Sequence, residues 1–247
     1  MTAQVQIRLD GKAAPFYGTT YDRPQYNAVK GEVQRVELHR GCPWGHEYCY
    51  EPRINEDFPV PDLVKNRVQI LDMNFLVRRD ALEVIQSLGE MRVGGKPIKF
   101  EFVCGIDFRF LTQPIADAMK ASRFERPRIA WDEPFSEQMR IKDGVEKLLK
   151  AGYKRNEISA FMIVNWRVPY SECLRKLDLM KVWNIKVCDC CYDGGYKVAV
   201  PVNWTLEEIK DIRLKSRKHN QLVLFGIDPQ PKVNQYRRGV VGEAAQK

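Results

Sequence analysis

The sequence predicts an α/β protein built on a parallel sheet. From residue 33 onward, six short apolar runs alternate with amphipathic segments of helical period. Successive runs lie roughly 30 residues apart, which is the length of one strand–helix unit with its loops. Right-handed crossovers would then curl the sheet into a barrel or an open α/β layer.

Hydrophobic periodicity places the individual elements. The strand candidates are residues 33–39, 68–72, 98–104, 128–132, 158–165 and 185–191. The helix candidates are residues 79–91, 113–122, 137–150, 170–182 and 205–217. Thr205 and Glu208 have the spacing of a capping box at the start of the last helix. Residues 221–225 are a candidate for one further strand.

The chain divides into three predicted parts. Residues 1–32 are rich in Gly, Pro and Tyr without a clear period, and we expect a lead-in that packs against the sheet. Residues 33–229 hold the strand–helix units. Residues 230–247 are predicted to form a flexible C-terminal tail.

Composition is that of an ordinary globular protein, with 44% apolar and 29% charged residues in 247. No stretch approaches the roughly 18 apolar residues that a membrane helix needs, and the first ten residues lack the apolar core of a signal peptide. We therefore expect a cytoplasmic protein without a membrane partner. The seven cysteines are odd in number and unevenly placed, which favours reduced thiols over a disulfide framework.

The net charge of +8 leaves an anionic partner open without identifying one. The basic residues are scattered, and their densest run, residues 213–218, lies on a predicted surface helix. A solvated face is the simpler interpretation of that run. A nucleic-acid partner is compatible with the charge, but nothing else in the sequence supports it.

Polar residues follow the apolar runs, where parallel strands end. Ligands bind at the carboxyl ends of the strands in both barrels and open α/β sheets. The residues at these positions predict a polar pocket, although helix capping is an equally open interpretation of any single one. Asp107 and Arg109, which an extended segment would place on one side, fit an ion pair as well as a ligand contact. Besides residues 42–49 and 188–191, the residues at these positions are Asp72, Asn74, Asp107, Arg109, Asp132, Glu133, Asn165 and Trp166.

A short loop after the first run carries the strongest chemical signal. Residues 40–50, here called the cysteine loop, contain Cys42, His46 and Cys49 in the pattern C-x3-H-x2-C. Iron–sulfur clusters are held mainly by closely spaced cysteine thiolates, and imidazole replaces thiolate in some of them. Gly41 and Gly45 would let the backbone wrap tightly around a bulky centre.

This loop closely resembles the C-x3-C-x-aromatic-C cluster loop of the radical S-adenosylmethionine (SAM) enzymes, with Tyr48 at the aromatic position. Three downstream segments resemble that family in order and spacing: Asp-Met-Asn-Phe-Leu at 72–76, Cys-Gly-Ile-Asp-Phe-Arg-Phe-Leu-Thr at 104–112 and Arg-Ile-Ala-Trp-Asp at 128–132. The resemblance covers roughly residues 33–230. It implies a partial (β/α)6 barrel of the radical SAM type.

The resemblance also implies the cofactors. A [4Fe–4S] cluster would be held by Cys42, His46 and Cys49, and its fourth iron would bind SAM. Reductive cleavage of SAM would yield a 5′-deoxyadenosyl radical that abstracts hydrogen from an unidentified substrate. A flavodoxin- or ferredoxin-like electron donor is implied as a partner. The implied SAM contacts are Tyr48, Asp72, Asn74, Asp107, Arg109 and Asp132.

His46 departs from the family pattern, which has cysteine there. Imidazole in place of thiolate raises a cluster's potential, by hundreds of millivolts in Rieske centres, and so works against reductive SAM cleavage. Three interpretations stay open: His46 ligates iron, the cluster is labile or absent, or another thiol completes it. The second interpretation gives the alternative function, a catalytically degenerate fold that binds a metal or a nucleotide.

Two further metal interpretations involve other residues. His39 could join Cys42, His46 and Cys49 in a zinc site, although it lies within a predicted strand. Cys188, Cys190 and Cys191 are too tightly spaced for all three to bind one ion, because alternate strand residues face opposite sides. One of these three is a candidate ligand or substrate-facing thiol. Cys104 and Cys173 are expected in the core.

Overall fold

The computed structural model describes residues 24–46, 48–49, 51–132, 134–192 and 202–227. The strands are β1 (Asn27–Lys30), β2 (Val33–Val36), β3 (His39–Arg40), β4 (Glu56–Asp57), β5 (Arg67–Ile70), β6 (Arg92–Val93), β7 (Lys96–Pro97), β8 (Lys99–Phe102), β9 (Arg128–Ala130), β10 (Ser159–Val164) and β11 (Lys186–Cys191). The helices are α1 (Ala81–Glu90), α2 (Gln113–Ala121), α3 (Gln138–Lys150), α4 (Tyr170–Trp183) and α5 (Leu206–Leu224).

Two sheets carry the main strands. The first has the order β1-β2-β5-β8, in which β1 is antiparallel and the other pairs are parallel. The second has the order β11-β10-β9 and is parallel throughout. An isolated parallel bridge between Ile106 and Ile129 links the segment after β8 to β9. Apart from the antiparallel pairing of β2 with β1, the six predicted strands therefore run parallel to their sheet neighbours.

The architecture is mixed α/β, with helices between most of the parallel strands. No closed barrel is formed by the residues that the structure describes. The partial (β/α)6 barrel of the radical SAM type stays a prediction.

One apolar core lies between the sheets and the helices. β10 is almost entirely buried, which explains its continuous apolar sequence, because a parallel strand covered on both faces has no solvent side. Helices α1 and α3 contribute Ile85, Leu88, Ile141 and Leu148, each at most 1% exposed. The core therefore holds the carboxyl ends of the parallel strands on a rigid base.

The last helix corrects one prediction. α5 extends through Leu224, so the strand expected over residues 221–225 is wrong. Ser216, His219 and Val223 are buried at helical spacing, so the helix still has a face to bury there. The predicted capping box is confirmed: Glu208 N–H donates to Thr205 Oγ1 at 3.2 Å, and Thr205 N–H donates to Glu208 Oε2 at 2.8 Å.

The described part of the predicted lead-in joins the first sheet. β1 pairs with β2, and Gln25 Nε2 donates to the Glu37 carbonyl at 2.7 Å. Residues 1–23 and the predicted tail over 230–247 lie outside the described residues. Within the described residues, no helix has the length and apolar character needed to cross a membrane.

Candidate functional site

The cysteine loop leaves the first sheet through two tight backbone positions. β3 pairs with β4 and closes the base of the loop. Gly41 has φ +111°, and a Cβ there would overlap the Ile54 carbonyl. Gly45 has φ +57°, and a Cβ there would overlap the Arg53 guanidinium. The backbone clash requires glycine at Gly41, whereas at Gly45 the neighbour is a side chain and the left-handed φ is what favours glycine.

The loop faces a cleft at the carboxyl ends of the strands, with a volume of about 80 Å³. Its walls come from the cysteine loop and from the segments that follow β5, β8 and β9. Eight of the nine predicted site residues line it: Cys42, His46, Tyr48, Cys49, Asn74, Asp107, Arg109 and Asp132. Trp44, Met73, Cys104, Gly105, Ile106 and Ala130 complete the lining.

Asp72 is the predicted residue that does not line the cleft. Its side chain is 2% exposed, and its Oδ1 accepts a hydrogen bond from the Leu38 backbone N–H at 2.9 Å. Burial raises the pKa of this carboxyl well above its usual value. Asp72 lies beneath the site, where its hydrogen bond to Leu38 joins the segment after β5 to the segment after β2.

Asp107 is the polar centre of the cleft. Its Oδ2 accepts from Trp44 Nε1 at 2.6 Å and from Asn74 Nδ2 at 3.1 Å. Arg109 Nε donates to Asp107 Oδ1 at 2.7 Å, which confirms the ion pair that the spacing allowed. The Arg109 guanidinium also lies 3.8 Å from the centre of the Trp44 ring. These contacts hold the cysteine loop against the segments after β5 and β8.

One side-chain atom of Asn74 has no hydrogen-bond partner among the described residues. Its Nδ2 donates to Asp107 and approaches Cys42 Sγ at 3.6 Å. Its Oδ1 is buried and has no hydrogen-bond partner among the described residues. Leaving a buried acceptor unpaired costs about 1–3 kcal/mol. A side chain that is 3% exposed and lines the cleft with a spare acceptor indicates a ligand with a matching donor.

Of the two loop cysteines, Cys42 is buried and Cys49 is half-buried. Cys42 is 8% exposed. Burial raises the pKa of the Cys49 thiol to about 12, and nearby Glu51, Cys42 and Asp132 raise it further, against one backbone hydrogen bond from Glu51. Cys49 is therefore a neutral thiol at pH 7 unless a cation compensates its charge. Metal binding provides such compensation, since the ligand is the thiolate.

Cys104 corrects a second prediction. It was expected in the core, but it is half-buried and lines the cleft. Its Sγ donates to the Leu71 carbonyl at 3.3 Å. Burial raises the pKa of its thiol to about 12, and Cys49 is among the groups whose charge adds to this shift. Cys104 was the last residue of the predicted third strand, near the position where ligands bind, but the apolar run alone did not show that its side chain faces the cleft.

The other cysteines do not line the cleft. Cys173 is fully buried, which confirms its predicted core position. Cys188, Cys190 and Cys191 lie on β11, and none of them lines the cleft. Cys190 is exposed, as expected for a strand whose successive residues alternate between two faces.

Four aromatic side chains, here called the aromatic wall, form a chain of ring contacts that starts in the cysteine loop: His46, Tyr48, Trp166 and Tyr192. The His46 and Tyr48 rings are stacked, with centroids 5.0 Å apart and planes 13° from parallel. Tyr48 meets the edge of Trp166 at 5.7 Å, and Trp166 meets Tyr192 at 4.5 Å. Trp166 and Tyr192 follow β10 and β11, so this wall joins the cysteine loop to the second sheet. Sequence reasoning identified Tyr48, and it placed Trp166 among the residues that follow the strands, but it missed Tyr192.

The donors of the cleft do not yet converge on one point. In the described part of the chain, no three His, Cys, Asp or Glu side chains are grouped closely enough to hold a metal ion. His39 is outside the cleft lining and bonds Asp57 Oδ1 through Nδ1 at 2.7 Å, so the predicted zinc set is not assembled. Cysteine thiols and an imidazole nevertheless line the same cleft, and these are the side-chain types that hold iron–sulfur clusters.

No protein-family model matches the chain, and no curated protein matches it either. The likeness to the radical SAM enzymes therefore rests on the chain's own residues.

Proposed function

We propose that the chain is a radical SAM enzyme that holds a [4Fe–4S] cluster and SAM in the cleft and acts on an unidentified substrate. One observation carries the proposal. Eight residues chosen from four separate sequence segments line a single cleft, at the carboxyl ends of parallel strands. Two cysteine thiols and an imidazole are among them, and these are the donor types that hold iron–sulfur clusters.

Cys42 and Cys49 would hold the cluster, with His46 as the third donor in the family pattern. When bound, the cluster supplies the electron that cleaves SAM, and so the radical that removes hydrogen from the substrate. The protein contributes shielding. Trp44, His46 and Tyr48 line the same cleft as the thiols and would help to exclude water, which protects a reactive intermediate from side reactions.

Asn74 would orient SAM. Its unpaired Oδ1 is an acceptor suited to the amino group of the methionine part. The edges and faces of Tyr48 and Trp166 offer a surface for the planar adenine. Asp107 and Arg109 form an ion pair with each other, so their main contribution would be to position Asn74 and Trp44.

The cysteine loop must move for these groups to bind. Sites for molecules of this size occupy roughly 300–1,000 Å³, whereas the cleft measures about 80 Å³. The Trp44–Asp107 hydrogen bond is the main polar tie between the loop and the segment after β8. Its release would open the cleft without disturbing the core beneath.

An electron donor and a cytoplasmic setting belong to the same proposal. The net charge of +8 suits an acidic flavodoxin- or ferredoxin-like donor, because opposite charges speed association. The donor would have to approach the cleft side of the molecule.

Anaerobic reconstitution tests the proposal. The chain is loaded with iron and sulfide, reduced with dithionite and mixed with SAM, and 5′-deoxyadenosine is measured by chromatography. We expect 5′-deoxyadenosine from the wild-type chain and none from Cys42→Ala, with Cys188→Ala as a control that keeps the product. A chain that binds no cluster, or that binds SAM without cleaving it, is not this enzyme.

A second candidate is a degenerate radical SAM fold that binds a metal or a nucleotide without catalysis. It is favoured by the unconverged donors and by the stacking of His46 on Tyr48. His46→Cys separates the two candidates in the same assay. If the variant gains cluster and product that the wild-type chain lacks, then His46 has cost this chain the family's chemistry.

A further inference from the structure

The segment that follows β10 begins with a strained and fully buried residue. Asn165 is 0% exposed, and its φ of +61° lies in the left-handed region, which residues other than glycine seldom adopt. Asparagine tolerates this region better than most residues do. Backbone strain of this kind persists where the surrounding structure holds it in place, and it clusters at functional sites.

The Asn165 side chain joins three segments of the chain. Its Nδ2 donates to the carbonyl of Tyr192, directly after β11, at 2.7 Å. Its Oδ1 accepts from the Val202 backbone N–H at 2.9 Å and from the Asn203 backbone N–H at 3.4 Å, just before α5. Both ends of the amide are therefore used, and they connect the segments that follow β10 and β11 to the segment before α5.

Other bonds hold the same strand ends independently of this side chain. Tyr192 N–H donates to the Val164 carbonyl at 2.9 Å, which continues the parallel pairing of β10 with β11. Trp204 Nε1 donates to the Val168 carbonyl at 2.8 Å, so the segment after β10 is tied to the region before α5 at a second point. The strand ends therefore keep contacts of their own when the Asn165 side chain is removed.

Asn165 lies beside two rings of the aromatic wall. Trp166 is the next residue in the chain, and Tyr192 receives the Asn165 hydrogen bond. The Trp166 and Tyr192 rings meet edge to face with centroids 4.5 Å apart, and Trp166 meets Tyr48 at 5.7 Å. Tyr48 lines the cleft. One buried side chain is thus attached to the backbone on both sides of the ring pair that supports Tyr48.

We propose that Asn165 is a positioning residue, whose amide fixes Trp166 and Tyr192 so that the aromatic wall is preformed beside the cleft for the planar ring of a bound ligand. The inference rests on the proposed function, which makes that ligand SAM. Asn165 itself would touch no ligand, since it is fully buried and does not line the cleft. Groups that are already in place bind a ligand at a lower cost in conformational entropy.

Near-ultraviolet circular dichroism of the unloaded chain tests the positioning, because this signal reports the fixed packing of aromatic side chains. The Trp166 contribution is the difference between wild type and Trp166→Phe. Asn165→Gly removes the amide and suits the left-handed backbone, so it separates the hydrogen bonds from the strain. We expect it to lose most of the Trp166 contribution. A contribution that stays at the wild-type value overturns the inference, because the backbone conformation alone would then suffice.

Asn184 provides the matched control. It is also a left-handed asparagine, with φ +53°, but it caps the end of α4 and does not line the cleft. Asn184→Gly and Asn184→Ala should keep the Trp166 contribution at its wild-type value. An equal loss in Asn184→Ala and Asn165→Gly would show a general loosening of the fold, which also overturns the inference.

The Kd of SAM, measured by calorimetry on the reconstituted chain, tests the consequence for binding. We expect an increase of about fivefold in Asn165→Gly, with iron content at the wild-type value and with no change in Asn184→Gly. An unchanged Kd in Asn165→Gly overturns the inference and leaves the proposed function standing. A wild-type chain that binds no SAM overturns the proposed function, whereas the circular dichroism spectra still decide whether Asn165 holds the two rings.

Discussion

Asp107 ties three parts of the site together through one carboxylate. It accepts hydrogen bonds from Trp44 in the cysteine loop, Asn74 after β5 and Arg109 two residues on. Hydrogen bonds to charged groups contribute more than neutral ones, about 1.5–3 kcal/mol. The Asp107 carboxylate therefore determines how firmly the cysteine loop is held against the segments that follow β5 and β8.

Trp44→Phe should loosen that closure. The variant keeps a ring for Arg109 but loses the 2.6 Å hydrogen bond to Asp107. We expect the free energy of unfolding to fall by about 1.5 kcal/mol, measured by urea denaturation. Val182→Ala, at an exposed site on α4, is the control. Equal stability of Trp44→Phe and wild type would show that the bond does not hold the loop.

Asn74→Ala should weaken SAM binding. The variant removes the spare acceptor that the amino group of SAM would use. We expect an increase in Kd of about tenfold, which corresponds to roughly 1.4 kcal/mol, measured by calorimetry on the reconstituted chain. Iron content should stay at the wild-type value. An unchanged Kd would remove Asn74 from the SAM site.

Asp72 should give stability a characteristic pH dependence. Its folded pKa is raised by burial, so the folded state binds a proton more tightly than the unfolded state. This contribution to stability is present below the unfolded pKa and is lost as pH rises through the folded pKa. Asp72→Asn should therefore lose less stability than wild type between pH 5 and pH 8 in urea titrations. Parallel profiles for the two chains would contradict the assignment.

At the scale of elements, the parallel strands and their helices could be predicted because hydrophobic period and spacing reflect burial directly. The end of α5 could not, since residues 221–225 are apolar enough for a strand, and only Val223 among them is buried, at helical spacing from Ser216 and His219. Cys104 was missed for a different reason. An apolar run alone does not show which of its last residues turns toward the cleft.

Gly105 lies in the segment after β8 and lines the cleft, so the packing around this residue affects the site. Its Cβ would meet Phe161 at 2.7 Å, and its φ is +99°. Gly152 has φ +97° with nothing within 4 Å, so Gly152→Ala isolates the backbone strain of about 1–2 kcal/mol. Gly105→Ala should cost about 1–3 kcal/mol more, from overpacking. Equal losses in urea denaturation would show that Phe161 yields freely.

At the scale of the whole molecule, two parallel sheets meet beneath the cleft. The Ile106–Ile129 bridge joins them, and the aromatic wall spans from the cysteine loop to β10 and β11 above. The sheets thus supply fixed walls, while the cysteine loop supplies the part that closes. The pocket residues could be predicted because they follow the strands. That they line one cavity could not be predicted, because it depends on how the two sheets pack.

The most direct measurement is the electron paramagnetic resonance spectrum of the reconstituted, dithionite-reduced wild-type chain, recorded before and after SAM is added. The account predicts a reduced [4Fe–4S] signal that shifts when SAM binds the open iron. A chain without a cluster signal, or a signal that SAM leaves unchanged, would contradict the assignment of this cleft.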